Sequence, residues 1–81
     1  MKRIAIIGAG SWGTALAVMA ARAGHQVQLW SRNPEVVNSI NSAHVNPFYL
    51  TYAQIPERVT ALNDIAVALN EAELVLFAAP S

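Results

Sequence analysis

The sequence predicts an α/β fold with an open parallel β-sheet and helices on both faces of that sheet. Short apolar runs alternate with segments of helical spacing along the 81 residues, in the order strand-helix-strand-helix-strand-helix-strand. The first and last apolar runs are unbroken, which is typical of strands that a parallel sheet buries on both faces. Because strand-helix-strand crossovers are right-handed, the strands are expected in the spatial order 3-2-1-4.

The first strand and the first helix are predicted on either side of a glycine-rich turn. Residues 4–7 are an apolar run that stops at Gly8, and helical spacing begins at Ser11. Gly24 is well placed to end this helix, because glycine readily adopts the left-handed conformation found beyond helix C-termini. In this helix Leu16, Met19 and Ala20 share a face, and Gly13, Ala17 and Ala21 provide positions for close packing.

The second strand and helix are predicted from the residues that bound them. Residues 27–30 form the strand. Asn33 then supplies a helix cap, Pro34 the first helical position and Glu35 an acid in the first turn, where the helix dipole favours negative charge. Asn46-Pro47 is predicted to end this helix, because the residue before a proline disfavours helical geometry.

The last elements follow an irregular segment at residues 48–56. Residues 59–62 are predicted as the third strand, and Asn63 as the cap of the third helix. Residues 74–79 are predicted as the fourth strand, which ends at Pro80-Ser81. In an isolated chain this strand would be an open apolar edge, so we expect the chain to self-associate through it.

Composition excludes several classes of function. Five Lys and Arg residues balance five Asp and Glu residues, so net charge predicts neither a nucleic-acid nor a membrane partner. The absence of cysteine excludes disulfides and thiolate chemistry, and is compatible with a reducing cytoplasm. Lys2-Arg3 and the following apolar residues superficially resemble a signal peptide. Glycines at positions 8, 10 and 13 interrupt that apolar segment, and a strand-turn-helix interpretation explains each of them.

The turn Gly8-Ala9-Gly10-Ser11-Trp12-Gly13 is the main candidate site. Gly8 permits a tight turn, Gly10 permits close approach of a pyrophosphate, and Gly13 permits close packing of helix on strand. The backbone amides of Ser11 and Trp12 are the expected phosphate donors, because they lie at the helix N-terminus. In this context the pattern predicts a Rossmann-type dinucleotide-binding fold. Two alternatives stay open: the turn binds nothing, or the Trp12 ring only packs over it.

The end of the second strand bears on the choice of cofactor. NAD-specific sites usually place a carboxylate about 20 residues beyond the turn, where it bonds the ribose 2′-hydroxyl. This chain has Trp30-Ser31-Arg32-Asn33 there and no carboxylate. A guanidinium can pair with a 2′-phosphate and stack on adenine. Arg32 therefore favours NADP with NAD tolerated, unless it is an ordinary solvated charge.

The sequence resembles the bacterial NAD(P)-dependent glycerol-3-phosphate dehydrogenases. The resemblance spans the chain and rests on residues 8–17 (GAGSWGTALA), 24–25 (GH), 29–35 (LWSRNPE), 46–50 (NPFYL), 55–56 (IP) and 76–81 (LFAAPS). It implies reduction of dihydroxyacetone phosphate to sn-glycerol 3-phosphate by hydride transfer, for glycerophospholipid synthesis. By position, Ser11, Trp12 and Arg32 match cofactor-contacting residues, and Tyr49 matches one less closely. Some relatives have a second basic residue where this chain has Asn33.

The resemblance also implies that residues 1–81 are the N-terminal part of a dinucleotide-binding domain. Relatives have a catalytic lysine and a helical substrate domain further along their chains. The one lysine here, Lys2, lies at the N-terminal end of the first strand, whereas such sheets bind ligands at the opposite end. We therefore expect no catalytic residue in this chain and no activity from it alone. The alternatives are a related dehydrogenase of the hydroxyacid or 6-phosphogluconate type, and a stand-alone, non-catalytic dinucleotide-binding module.

Overall fold

The computed structural model describes residues 1–78, which form a parallel four-stranded sheet in the order β3-β2-β1-β4. The elements in chain order are β1 (Arg3–Ile7), α1 (Ser11–Arg22), β2 (Gln26–Trp30), α2 (Pro34–Ala43), β3 (Val59–Leu62), α3 (Ile65–Leu69) and β4 (Leu74–Phe77). Ile4 of β1 is in register with Val27 of β2 on one side and Leu74 of β4 on the other. The predicted fold class and strand order are confirmed.

Helices cover both faces of the sheet. The first two crossovers run in one direction across the sheet and the third runs back, so right-handed connections place α1 and α2 on one face and α3 on the other. The side chains of Ile4 and Ile6 belong to the apolar core cluster, together with Ala17 of α1. The alternate residue Ala5 is also fully buried but lies outside that cluster, as expected for a strand covered on both faces.

Helix α1 packs on the sheet through its small residues. Gly13, Thr14, Ala17, Val18 and Ala21 are buried, so the close-packing positions predicted from the sequence are confirmed. Met19 is 66% exposed, so it does not belong to the buried face of this helix. The backbone turns away at Gly24, whose φ is +97°.

Three predicted boundaries were wrong. Helix α2 ends before Asn46-Pro47, because His44 takes a left-handed conformation (φ 61°) and its N–H bonds the Ile40 carbonyl. Asp64, rather than Asn63, caps α3, and its carboxylate accepts hydrogen bonds from two amides of the first turn. Strand β4 ends at Phe77, so Ala78 does not belong to the strand, contrary to the prediction. The predicted last residue of the strand, residue 79, lies outside the described residues.

The longest described helix, α1, has 12 residues. Within residues 1–78, none of the helices combines the length and the apolar character that a membrane span requires.

Strand β4 lies at an edge of the sheet and its apolar side chains are open to solvent. Leu74 and Val75 are exposed, and Phe77 is 76% exposed. We expect the chain to dimerise or aggregate at high concentration, because an uncovered apolar edge pairs readily with another chain. Leu74→Lys should shift the sedimentation profile towards monomer, whereas Asn38→Lys on α2, with the same charge change, should not. A monodisperse unmodified monomer at high concentration would contradict this expectation.

Candidate functional site

A cavity of about 850 Å³ opens along the C-terminal ends of the strands. The last residues of β1, β2 and β4, which are Ile7, Trp30 and Phe77, all line it. Strands β1 and β4 are neighbours at the point where the chain reverses its direction across the sheet. In open parallel sheets this switch point is where ligands bind, so the location makes the cavity the candidate site.

Two glycines of the turn are required by the fold itself. Gly8 has φ +119°, a conformation that other residues rarely adopt, and a Cβ there would collide with the carbonyl oxygen of Ala78. A Cβ on Gly13 would collide with the Gly8 carbonyl oxygen and lie 3.1 Å from the Ala78 Cβ. Glycine at position 8 therefore permits the close approach of the backbone at Ala78, and glycine at position 13 permits the close packing of α1 on the backbone of Gly8.

Gly10 differs from both. Its backbone angles, φ −77° and ψ −164°, are open to every residue type. A Cβ on Gly10 would have no atom within 4 Å among the described residues, and Gly10 lines the cavity. Neither backbone conformation nor packing within the described chain thus requires glycine here. The open space beside Gly10 is where a ligand could approach the main chain.

The N-terminus of α1 is left without a side-chain cap. Asn33 caps α2 and Asp64 caps α3, but Gly10 provides no side chain for α1, and the first turn of α1 has no acidic residue. The Thr14 amide bonds the Gly10 carbonyl at 2.9 Å. Within residues 1–78, the amides of residues 11–13 have no hydrogen-bond acceptor. Free amides at the positive end of a helix dipole form an anion site.

Arg32 lies at the rim of the cavity, where the backbone on each side of it is fixed. The amide of Ser31 donates to the Leu62 carbonyl at 2.9 Å, and the buried Ser31 hydroxyl accepts from the Asn33 amide at 3.1 Å. The side-chain Oδ1 of Asn33 accepts a hydrogen bond from the Glu35 amide at 2.9 Å. The Arg32 side chain is exposed, and no carboxylate of residues 1–78 lies within salt-bridge distance of it. Its charge is therefore available to a ligand.

An aromatic pair closes one side of the cavity. Tyr49, which is a predicted site residue, lines the cavity, and so does Phe48, which is not among the predicted site residues. Both side chains are substantially exposed, so the protein itself does not bury them. The cluster of aromatic residues at 48–52 could have indicated this part of the site, but the spacing of those residues does not distinguish rings that line a cavity from rings that pack in a core.

The structure brings together four of the seven predicted site residues in the cavity wall, namely Gly8, Gly10, Arg32 and Tyr49. Ser11, Trp12 and Gly13 begin α1 beside the cavity and do not line it. Trp12 is 62% exposed, so its ring is not packed into the core. Lys2 precedes β1 at the opposite end of the sheet, as predicted. A five-residue strand spans roughly 17 Å, which separates Lys2 from the cavity.

The different surroundings of Gly13 and Gly10 predict different effects of the same substitution. Gly13→Ala should lower the free energy of unfolding by about 3 kcal/mol, because the new methyl group would overlap the Gly8 backbone. Gly10→Ala adds a methyl group in open space and should change stability by no more than about 1 kcal/mol. Chemical denaturation of both variants measures this. Equal destabilisation would contradict the assigned packing.

Comparison with known proteins identifies the family. A family model described as NAD-dependent glycerol-3-phosphate dehydrogenase N-terminus matches residues 3–81. Glycerol-3-phosphate dehydrogenases [NAD(P)+] of Corynebacterium aurimucosum and Koribacter versatilis are 47% and 51% identical to this chain, over all of its length. The chain covers 24% of each of these relatives, so it spans about a quarter of their length.

Solved structures lead to the same family. The crystal structure of glycerol-3-phosphate dehydrogenase from Coxiella burnetii matches with a TM-score of 0.86 and 41% identity, over 94% of this chain and 23% of that one. The enzyme from Saccharomyces cerevisiae matches with a TM-score of 0.89 and 25% identity, over 98% of this chain and 26% of that one. The family model covers nearly the whole chain, and the solved relatives have the same fold. Both findings agree with the geometry of the glycine turn. The chain belongs to the family of NAD-dependent glycerol-3-phosphate dehydrogenase N-terminal domains.

Proposed function

We propose that the cavity binds NAD(P) and that this chain is the cofactor-binding part of a glycerol-3-phosphate dehydrogenase. The observation that carries the proposal is the combination at Gly10 of open space and a helix N-terminus without a cap. A pyrophosphate needs close approach to the main chain and several N–H donors, and this combination offers both.

Each residue of the turn has a separate role in this proposal. The amides of Ser11, Trp12 and Gly13 donate hydrogen bonds to the pyrophosphate, and the dipole of α1 favours its negative charge. Gly10 keeps the approach open, Gly13 lets α1 pack closely on the backbone of Gly8, and Gly8 lets the backbone at Ala78 approach the turn. Phe48 and Tyr49 supply apolar surface to the flat rings of the dinucleotide.

Arg32 directs the preference towards NADP. Its exposed guanidinium would pair with the 2′-phosphate in a bidentate arrangement, whereas the uncharged ribose of NAD offers it no such partner. NAD is still tolerated, because its pyrophosphate uses the same amides. Asn33 replaces the second basic residue of some relatives, and its structural role as cap of α2 explains why an amide serves well at that position.

The reaction we propose for the full-length enzyme is the reduction of dihydroxyacetone phosphate to sn-glycerol 3-phosphate for glycerophospholipid synthesis. When bound, the reduced nicotinamide would supply the hydride that C2 of the substrate takes up, and a proton from another group would complete the new hydroxyl group. The described wall of the cavity has no Lys, His, Asp or Glu side chain, so residues 1–78 position the cofactor and leave proton transfer to other groups. The phosphorylated substrate is accordingly a partner of the whole enzyme. A cytoplasmic location stays a prediction.

A titration of the chain with NADPH and NADH tests the proposal. Trp12 lies at the turn and Trp30 lines the cavity, so their fluorescence should change as either nucleotide binds, and NADPH should bind more tightly. The same preparation should not oxidise NADPH when dihydroxyacetone phosphate is added. Saturable binding of the nucleotides without turnover of dihydroxyacetone phosphate would support the proposal that this chain is the cofactor-binding part of the enzyme. Absence of binding to a folded chain would refute the proposed function, and clear turnover would refute the assignment of catalysis to other groups.

A further inference from the structure

Asn46 is a fully buried polar residue that makes four hydrogen bonds. Its Nδ2 donates to the Ala9 carbonyl at 2.9 Å and to the Thr14 hydroxyl at 3.0 Å. Its Oδ1 accepts from the amides of Phe48 at 3.0 Å and Tyr49 at 3.2 Å. The side chain is 0% exposed. Every hydrogen-bonding atom of this buried amide therefore has a partner.

These bonds connect two parts of the cavity that are far apart in sequence. The donor end of Asn46 holds the glycine turn at Ala9 and the first turn of α1 at Thr14. The acceptor end holds the aromatic loop, by which we mean residues 46–49. Only a group that donates at one end and accepts at the other can make both connections, since carbonyl oxygens cannot donate and backbone amides cannot accept.

The aromatic loop has little other support from regular structure. It lies between the end of α2 at Ala43 and the start of β3 at Val59, and it belongs to neither a helix nor a strand. Ala9 at one end of the Asn46 connection and Tyr49 at the other both line the cavity. A change at Asn46 would therefore alter the distance between the phosphate-binding turn and the aromatic wall.

We infer that Asn46 is a positioning residue that holds the aromatic loop against the glycine turn and so sets the width of the dinucleotide site. This inference rests on the proposed function for its ligand. Asn46 touches no ligand itself, because it is buried beneath the turn and the loop. It acts through Ala9 on one side and through Phe48 and Tyr49 on the other.

The substitution Asn46→Asp tests the donor end. It keeps the shape and the acceptor oxygen but places a carboxylate against the Ala9 carbonyl at neutral pH. We expect NAD⁺ to bind at least tenfold more weakly than to the unmodified chain at pH 8. Burial raises the pKa of such a carboxyl group, and its protonated form can donate a hydrogen bond again. The difference in NAD⁺ affinity between the unmodified chain and Asn46→Asp should therefore become smaller as the pH falls to 5. NAD⁺ is the probe because it lacks the titrating 2′-phosphate.

A matched control separates positioning from general stability. Asn41 also uses both ends of its side-chain amide: it donates to the Ala61 carbonyl at 2.9 Å and accepts from the Ala61 amide at 2.8 Å. These bonds join α2 to β3, and Asn41 does not line the cavity. Asn41→Asp should lower the midpoint of thermal unfolding and leave the affinity of the folded chain for NAD⁺ within twofold of the unmodified value. Equal effects of the two substitutions on the affinity for NAD⁺ would overturn the inference. A loss of affinity in Asn46→Asp that does not change with pH would also overturn it.

A double-mutant cycle tests the acceptor end. If Asn46 acts through the aromatic loop, the losses in affinity from Asn46→Ala and from Phe48→Ala with Tyr49→Ala should not add. If Asn46→Ala and the pair of ring substitutions each weaken binding about tenfold, we expect the triple substitution to weaken it about 10- to 20-fold rather than 100-fold. A full 100-fold loss would show that Asn46 and the rings act independently, and would overturn the inference.

Amide hydrogen exchange decides the inference even if no nucleotide binds. Without ligand, Asn46→Ala should speed exchange at the amides of Phe48 and Tyr49 by at least tenfold, whereas Asn41→Ala should not. Unchanged exchange in Asn46→Ala would overturn the inference independently of the proposed function. Failure of the unmodified chain to bind NAD⁺ would instead refute the proposed function, and the exchange result would still establish whether Asn46 holds the loop.

Discussion

Gly10→Asp is expected to stabilise the folded chain and at the same time to abolish dinucleotide binding. The backbone at Gly10 already has the extended conformation of a helix cap, and α1 has no cap of its own. A carboxylate there would accept hydrogen bonds from the first-turn amides and interact favourably with the helix dipole. Together with the lower backbone entropy of the unfolded chain, this should add about 1 kcal/mol to the free energy of unfolding.

The loss of binding follows from the same contacts. The carboxylate would use the amides proposed for the pyrophosphate and would place a like charge beside it, so the affinity for NADPH should fall at least about 100-fold. Chemical denaturation and fluorescence titration measure the two effects separately. Gly10→Asn is the matched control, because it caps the helix without a charge and should weaken binding less. A stabilised variant that binds NADPH as tightly as before would contradict the proposed site.

Most of the fold was predictable because its signals are local. The apolar run before Gly8 and the glycine spacing after it specify a buried strand, a tight turn and a closely packed helix. The handedness rule then leaves few choices for the strand order. Gly8, Gly10 and Gly13 were correctly placed at the turn, but the sequence could not distinguish their purposes. That distinction depends on packing in three dimensions, because a Cβ on Gly8 would collide with the Ala78 carbonyl oxygen and a Cβ on Gly13 with the Gly8 carbonyl oxygen, whereas a Cβ on Gly10 would meet neither.

The sequence failed where the deciding contact is distant or where two residues are equally suited. The sequence indicates Asn46 as a residue that ends a helix, but nothing local shows that its amide reaches Ala9 across 37 positions. Asn63 and Asp64 are both residue types that favour the cap position, so the sequence alone does not show that it is Asp64 whose carboxylate accepts the amides of the first turn. Met19 lies outside the core although it is large and apolar, because close packing on the sheet favours smaller side chains at the inner face of α1.

Arg32→Asp should reverse the proposed preference for NADPH over NADH. At present the guanidinium has no carboxylate partner among residues 1–78 and stands at the rim of the cavity. Replacing it would remove the proposed charge-assisted, bidentate contact to the 2′-phosphate and would add repulsion against that group. We expect NADPH to bind at least about 100-fold more weakly. NADH should keep its affinity within about tenfold or bind more tightly, because the new carboxylate can accept a hydrogen bond from the ribose 2′-hydroxyl.

The control for Arg32→Asp is Arg22→Asp, which makes the same change in net charge in the last turn of α1, away from the cavity. If Arg32 acts by direct contact, Arg22→Asp should alter the two affinities about equally and by less than about threefold at 0.15 M salt, because long-range interactions between exposed charges are largely screened. Titrations with NADPH and NADH at low and physiological salt separate contact from long-range attraction. Equal losses for both nucleotides in Arg32→Asp would remove Arg32 from the 2′-phosphate role, since a residue that recognises that phosphate must distinguish the nucleotide that has it from the one that does not.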